Sequence, residues 1–175
     1  MSLPAHLTIR TEGLRIESLL SDWRWLVTPR FIPVVMTSFG DLFLRNETGQ
    51  IYFLNLMYGD FKQVAESDED FERLCEDRGH RRIWLMSSLQ LELRNLLGDL
   101  AAGQCYSCKI PPSLGGQLEP ENFECADLEV HYSVLGQLHR QTKHLPPGTK
   151  IESIKIIPPD DTKPKSWWKK LFILV

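Results

Sequence analysis

The sequence lacks several things, and each absence excludes a class of function. There is no basic excess: 20 lysines and arginines stand against 23 acids, a formal net charge of −3. Direct nucleic-acid binding is therefore not expected, because such domains carry a surplus of positive charge. No apolar run approaches the ~20 residues that span a bilayer. Met1 to Thr11 shows no basic segment leading into an apolar one, so no signal peptide is read there. Both features predict a cytoplasmic protein. Cysteine is sparse, with only Cys75, Cys105, Cys108 and Cys125, and these are expected as reduced thiols. Internal repeats and low-complexity tracts are missing too.

Catalytic motifs are equally scarce. There is no GxGxxG, no Gly-Lys-Ser/Thr phosphate loop, no HExxH and no second CxxC, so no cofactor or metal is expected. Leu114-Gly-Gly116 reads as a tight turn. Cys105-Tyr-Ser-Cys108 is the one stretch that looks like chemistry, since a CxxC can bind zinc or cycle as a redox pair. Cys125 and His131 are the nearest further ligands in sequence, and a small metal- or thiol-dependent enzyme built on these four is the alternative function. The context argues against it. A redox CxxC sits at a helix N-terminus, where its thiol acidity is raised. Here Lys109-Ile110-Pro111-Pro112 follows, which reads as strand then loop. On a strand Cys105 and Cys108 point to opposite faces.

What is present is ordinary globular material. The chain has 175 residues, 42% of them apolar. A chain of this length buries roughly 70% of its unfolded surface and folds without a disulfide or metal. We expect one α+β domain over residues 1–157, followed at 158–175 by a Pro-rich linker and a basic, aromatic tail. Residues 1–13 read as an arm or short strand. Ile16, Leu19, Leu20, Trp23 and Leu26 have helical spacing across 16–27. Asp41–Arg45 and Gln50–Leu56 flank a polar segment ending in Gly49, a hairpin signature. A further turn at Gly59-Asp60 leads into Phe61–Ala65, so residues 31–65 read as an antiparallel meander. Ser67 is placed to cap a helix whose inner stripe is Phe71, Leu74 and Cys75, with Gly79 closing it. A longer helix is expected over about 81–99. Strands are expected at 104–110, 127–132 and 150–157, extending the central sheet, with a helix at 133–143. The fold class is thus α+β, a mostly antiparallel sheet with amphipathic helices packed on it.

Two surfaces stand out by charge. Residues 59–79 hold eight acids against three bases, a local net of −5. Asp68, Glu69, Asp70 and Glu72 are the candidate contact surface for a basic partner, which such a patch steers into encounter. The plainer reading is capping and a solvated helix face. The tail is the opposite: four lysines and no acid from Lys163 onward, with Trp167, Trp168 and the run Leu171–Val175. A Trp/Lys mixture suits a membrane interface. The segment is short and weakly charged for that, so membrane anchoring is not expected. Docking on the domain, pairing with a second copy in a homodimer, or service as a partner-binding or scaffold peptide are the alternatives.

Taken in order, Ser38–Arg45, Gly49–Leu56, Gly59, Val64, Phe71, Gly103–Gly116 and His131–His139 resemble a bacterial family. It includes the C-terminal domain of type VI secretion immunity proteins that neutralise a DNase toxin. The resemblance covers roughly residues 20–155. It implies a non-catalytic protein whose partner is a cognate protein toxin, and it supplies no active-site residues.

Overall fold

The computed structural model describes residues 3–28, 30–146, 148–151 and 153–157. The linker and tail at 158–175, with Trp167 and Trp168, lie outside them.

Five strands form one antiparallel sheet in the order β1-β2-β3-β4-β5. They are β1 (Thr8–Ile9), β2 (Ile32–Thr37), β3 (Leu42–Arg45), β4 (Ile51–Asn55) and β5 (Asp60–Ala65). The expected meander is therefore present, and the N-terminal arm adds β1 to its edge. The β3–β4 hairpin turns at Asn46–Gly49. Asn46 Oδ1 accepts from the backbone N–H of Thr48 and Gln50 at 3.0 and 2.9 Å. Gly49 takes φ +88, open to it because it lacks a Cβ.

Both faces of this sheet are covered, which the alternation along β3 shows directly. Leu42 and Leu44 pack with Trp23, Tyr132 and Leu135, whereas Phe43 packs with Phe53, Phe71 and Leu85. The first face carries α1 (Ile16–Leu19) and α5 (Leu128–Thr142). The second carries α2 (Asp68–Glu76) and α3 (Arg78–Trp84), with α4 (Ser87–Leu97) following. The Phe43 ring lies 4.5 Å from Phe53 and 4.8 Å from Phe71, centroid to centroid. A third apolar cluster joins Phe39, Met57, Leu93, Tyr106 and Phe123.

Several expectations are corrected. The helix expected over 16–27 is one turn of α1 followed by a 3-10 turn, Leu20–Trp23. The tighter winding accompanies full burial of Trp23, whose Nε1 donates to the Tyr132 carbonyl at 2.9 Å. Gly79 does not close α2. Asp77 ends it, and its carboxylate caps α3 by accepting from the His80 N–H at 2.9 Å. The expected 81–99 helix is broken between α3 and α4, where Met86 is left-handed at φ +41. The break has a packing reason: Leu85 belongs to the Phe43 cluster and Leu93 to the Tyr106 cluster.

The region 127–132 is not a strand. The strand is β7 (Phe123–Asp127), and Asp127 caps α5, its Oδ1 accepting from the Val130 N–H at 3.1 Å. Leu128, Val130 and Tyr132 alternate in sequence, but the first turns of α5 are buried on nearly every side, so helical periodicity is invisible there. Nor do the later strands extend the central sheet. β6 (Gln104–Cys108) pairs with β7 in a separate two-stranded ribbon, tied to the main sheet by the Tyr106 N–H donating to the Ser38 carbonyl at 2.9 Å. Residues 153–157 are not strand. They lie along α5, where Gln141 and Gln137 bond the backbone of Lys155 and Ile157 through their side-chain amides.

Candidate functional site

The acidic helix α2 is built by its cap. Ser67 Oγ accepts from the Asp70 N–H at 3.2 Å, and Asp70 Oδ2 accepts from the Glu66 N–H at 3.1 Å. These bonds occupy donors that a helix start leaves unpaired. The Glu66 N–H and then the nearby Arg73 guanidinium hold the Asp70 carboxyl below its ordinary range. Asp68 turns toward β3 and pairs with Arg45 at 2.6 Å. Two of the four acids singled out in the sequence therefore serve the domain itself.

The other two face outward. Glu69 and Glu72 are exposed, and Glu76 continues the same face one turn later, with Arg73 beside them. A backbone N–H at its own position, then the Ser67 hydroxyl, hold the Glu69 carboxyl below its ordinary value. The charge pattern changes at once beyond the helix. Asp77, held low chiefly by the His80 backbone N–H and its ring, opens α3, which carries Arg78, Arg81 and Arg82. Exposed aliphatic side chains lie on α3 and α4: Ile83 at 70%, Leu91 at 54% and Leu96 at 60% exposure. The surface is therefore not a uniform acidic field but an acidic helix adjoining a basic one, with apolar side chains nearby. Aliphatic contacts among alternating charges suit a protein partner better than a phosphate backbone, which needs one sign of charge. Sequence reasoning missed Ile83, Leu91, Arg81 and Arg82, because the spacing reads as one long helix there; the break at Met86 changes which residues face out.

The cysteines lie where chemistry is hardest. Cys105 is fully buried against Trp23 and Tyr132, while Cys108 and Cys125 pack with the Tyr106 and Phe123 cluster, so the CxxC pair does point to opposite faces. Burial pushes the Cys108 thiol up to about 12 and the Cys105 thiol well above its usual value. The thiolate is the reactive form, so neither is a ready nucleophile. His131 is on α5, not on a strand. Its Nδ1 lies 2.8 Å from Ser107 Oγ, and burial pulls its pKa down to about 4. A general base works best near the ambient pH, and an enclosed imidazole this weak is poorly matched to that task. Among the described residues no three His, Cys, Asp or Glu side chains gather closely enough to hold a metal.

A buried polar knot joins the five-stranded sheet to α5, and nothing in the sequence pattern marked it. Asp41 Oδ1 accepts from the Leu56 N–H at 2.8 Å, Tyr132 Oη donates to the Gly40 carbonyl at 2.6 Å, and His139 Nε2 lies 2.9 Å from the Leu56 carbonyl. Desolvation raises the Asp41 pKa to about 7. These groups lie in the interior, so they order the fold and present nothing to a ligand.

The fold is of the α+β class. Residues 65–139 match the model of the family described as T6SS immunity protein Tdi1, C-terminal. The matched model is of the type VI secretion immunity family that the motifs resemble. The matched segment runs from the last residue of β5 through α2, α3, α4 and the β6–β7 ribbon into α5. Among solved structures, the crystal structure of Atu4351 from Agrobacterium tumefaciens is similar, with 25% identity and a TM-score of 0.49. That alignment covers 70% of this chain and 61% of the other, less than two thirds of that relative. No curated protein matches. Among the described residues no helix is long and apolar enough to cross a membrane.

Proposed function

We propose that this chain is an immunity protein that binds a cognate type VI secretion toxin in the cytoplasm and blocks it without catalysis, with residues 1–157 as the binding domain. The observation that carries this is the family match over 65–139, which takes in the whole α2–α4 surface. Glu69, Glu72 and Glu76 contribute steering charge, and Ile83 and Leu91 contribute desolvated contact. A DNase-class toxin fits this surface: a nuclease substrate channel is basic, and outward carboxylates compete for the same sites as phosphates.

The test takes as partner any type VI secretion toxin found encoded beside this gene. Co-expression is expected to restore growth, and the purified pair to bind with a salt-dependent association rate. Glu69→Lys combined with Glu72→Lys should slow association by roughly tenfold and weaken its salt dependence. Absence of both rescue and binding would refute the immunity reading. Rescue and binding with unchanged salt dependence in the double variant would leave immunity standing and move the contact surface elsewhere.

A further inference from the structure

The β6–β7 ribbon has one edge tied and one edge open. Its register runs without a bulge from Gln104↔Asp127 to Cys108↔Phe123. The Leu128 N–H donates to the Gly103 carbonyl at 2.8 Å, and the Lys109 N–H to the Asn122 carbonyl at 2.7 Å. Bonded and non-bonded pairs alternate along antiparallel strands, so Cys105↔Ala126 and Ser107↔Glu124 are the bonded pairs. Tyr106↔Cys125 and Cys108↔Phe123 are the non-bonded ones, and their backbone groups point out of the ribbon. On the β6 side the Tyr106 N–H meets the Ser38 carbonyl at 2.9 Å. On the β7 side the Cys125 N–H and C=O and the Phe123 C=O meet no partner among the described residues, and no described strand lies beyond β7.

The other free sheet edges are blunted. β1 is two residues long. β5 carries the exposed Lys62 at its centre, and its pairing with β4 shifts register. Bulges and lysines of this kind keep edges from pairing. β7 has neither, nor a proline. It is also held in place. Asn122, just before it, accepts from the Ile110 N–H at 3.0 Å and donates to the Ile110 carbonyl at 2.8 Å through its side-chain amide. A strand ordered in advance loses little freedom when a second strand joins it.

Charge and pleat define the partner. Residues 119–129 hold five acids and no base. Glu119 and Glu121 are exposed, and Glu124 is half-buried on β7 itself. Lys109 approaches from the other side of the ribbon, where its Nζ donates to the Glu121 carbonyl at 2.7 Å, and the local balance stays negative. Like charges across a strand pair repel, so this edge disfavours a second copy of itself and favours a basic strand. Glu124 shares a face with Ser107, which meets His131 of α5. Phe123 and Cys125 lie on the other face, with Tyr106 and Leu93. An added strand continues both faces, so basic residues fit beside Glu124 and apolar ones beside Phe123 and Cys125.

We propose that the open edge of β7 takes up an extended segment of a protein partner, basic and apolar in alternation, as an added strand. The proposal does not rest on the immunity reading.

Titration of the full chain with a peptide alternating Lys and Val, followed by amide NMR, tests it. The Cys125 amide should shift and gain protection from exchange. The Glu-Val counterpart should bind at least roughly tenfold more weakly, and Glu124→Lys should lower affinity for the Lys-Val peptide several-fold. Two further Lys-Val peptides carry N-methyl groups, one on every valine and the other on every lysine. They share side chains and charge, but only one set of N–H groups faces β7 in an added strand. One of them should therefore lose binding by at least roughly tenfold while the other keeps it. No response at Cys125, equal binding of the Glu-Val peptide, or equal binding of the two methylated peptides would overturn the proposal. So would protection of the Cys125 amide that rises with protein concentration in the absence of peptide, by assigning the edge to a second copy.

Discussion

Asp41 offers the sharpest quantitative test. Its carboxyl is 1% exposed, with the Leu56 N–H and the Thr37 hydroxyl as partners. Burial raises its pKa from 3.8 to about 7. Because the folded pKa lies above the unfolded one, its stabilising effect is complete below pH 4 and is lost as pH rises through about 7. Each tenfold change in proton affinity between the folded and unfolded chain is worth ~1.36 kcal/mol, so the loss approaches ~4 kcal/mol by pH 8. Asparagine has the same shape, can still accept from Leu56, and carries no charge to desolvate. Asp41→Asn is therefore expected to match the parent near pH 4 and to exceed its stability by about 2–4 kcal/mol at pH 8. Urea unfolding followed by tryptophan fluorescence at pH 4, 6 and 8 measures this. His131 titrates in the opposite sense: its depressed pKa of about 4 makes stability rise with pH between about 4 and 6.5. The parent curve alone therefore mixes opposing contributions across that range, with His139 adding to the rise. The difference between the two proteins cancels the His131 contribution and isolates Asp41. A variant less stable than the parent at pH 8 would refute the reasoning, because it would show that the ionised carboxylate is what the fold requires.

Other perturbations follow from single contacts. Gly59 has φ +64, and a Cβ there would lie 2.5 Å from the His139 ring, so Gly59→Ala should lower stability by about 2–4 kcal/mol in chemical denaturation. Ser67→Ala removes the α2 cap and should cost about 1 kcal/mol without altering the folded spectrum. Tyr132→Phe strips the Gly40 carbonyl of its donor and should cost about 1–3 kcal/mol. Substituting the exposed Glu69 should leave the folded spectrum unchanged while slowing partner association.

Local chemistry in the sequence determined the elements that depend on near neighbours. The 42–55 hairpin is legible because alternation and Gly49 act within a dozen residues. The start of α2 is legible because Ser67 and Asp70 bond each other. The opposed faces of Cys105 and Cys108 follow from strand geometry alone. Tertiary packing decided the rest. Residues 16–27 wind tightly as Trp23 enters the core, and α3 and α4 separate so that Leu85 and Leu93 can enter different clusters. Leu128 to Tyr132 folds as helix despite its alternation, since burial on nearly every side erases the period that would reveal it. The same reason divides the candidate surface. The sequence marked four acids as equals, but whether a carboxylate meets solvent or an arginine is set by what the rest of the chain brings beside it. Asp68 meets Arg45 from 23 residues away, and Glu69 meets water.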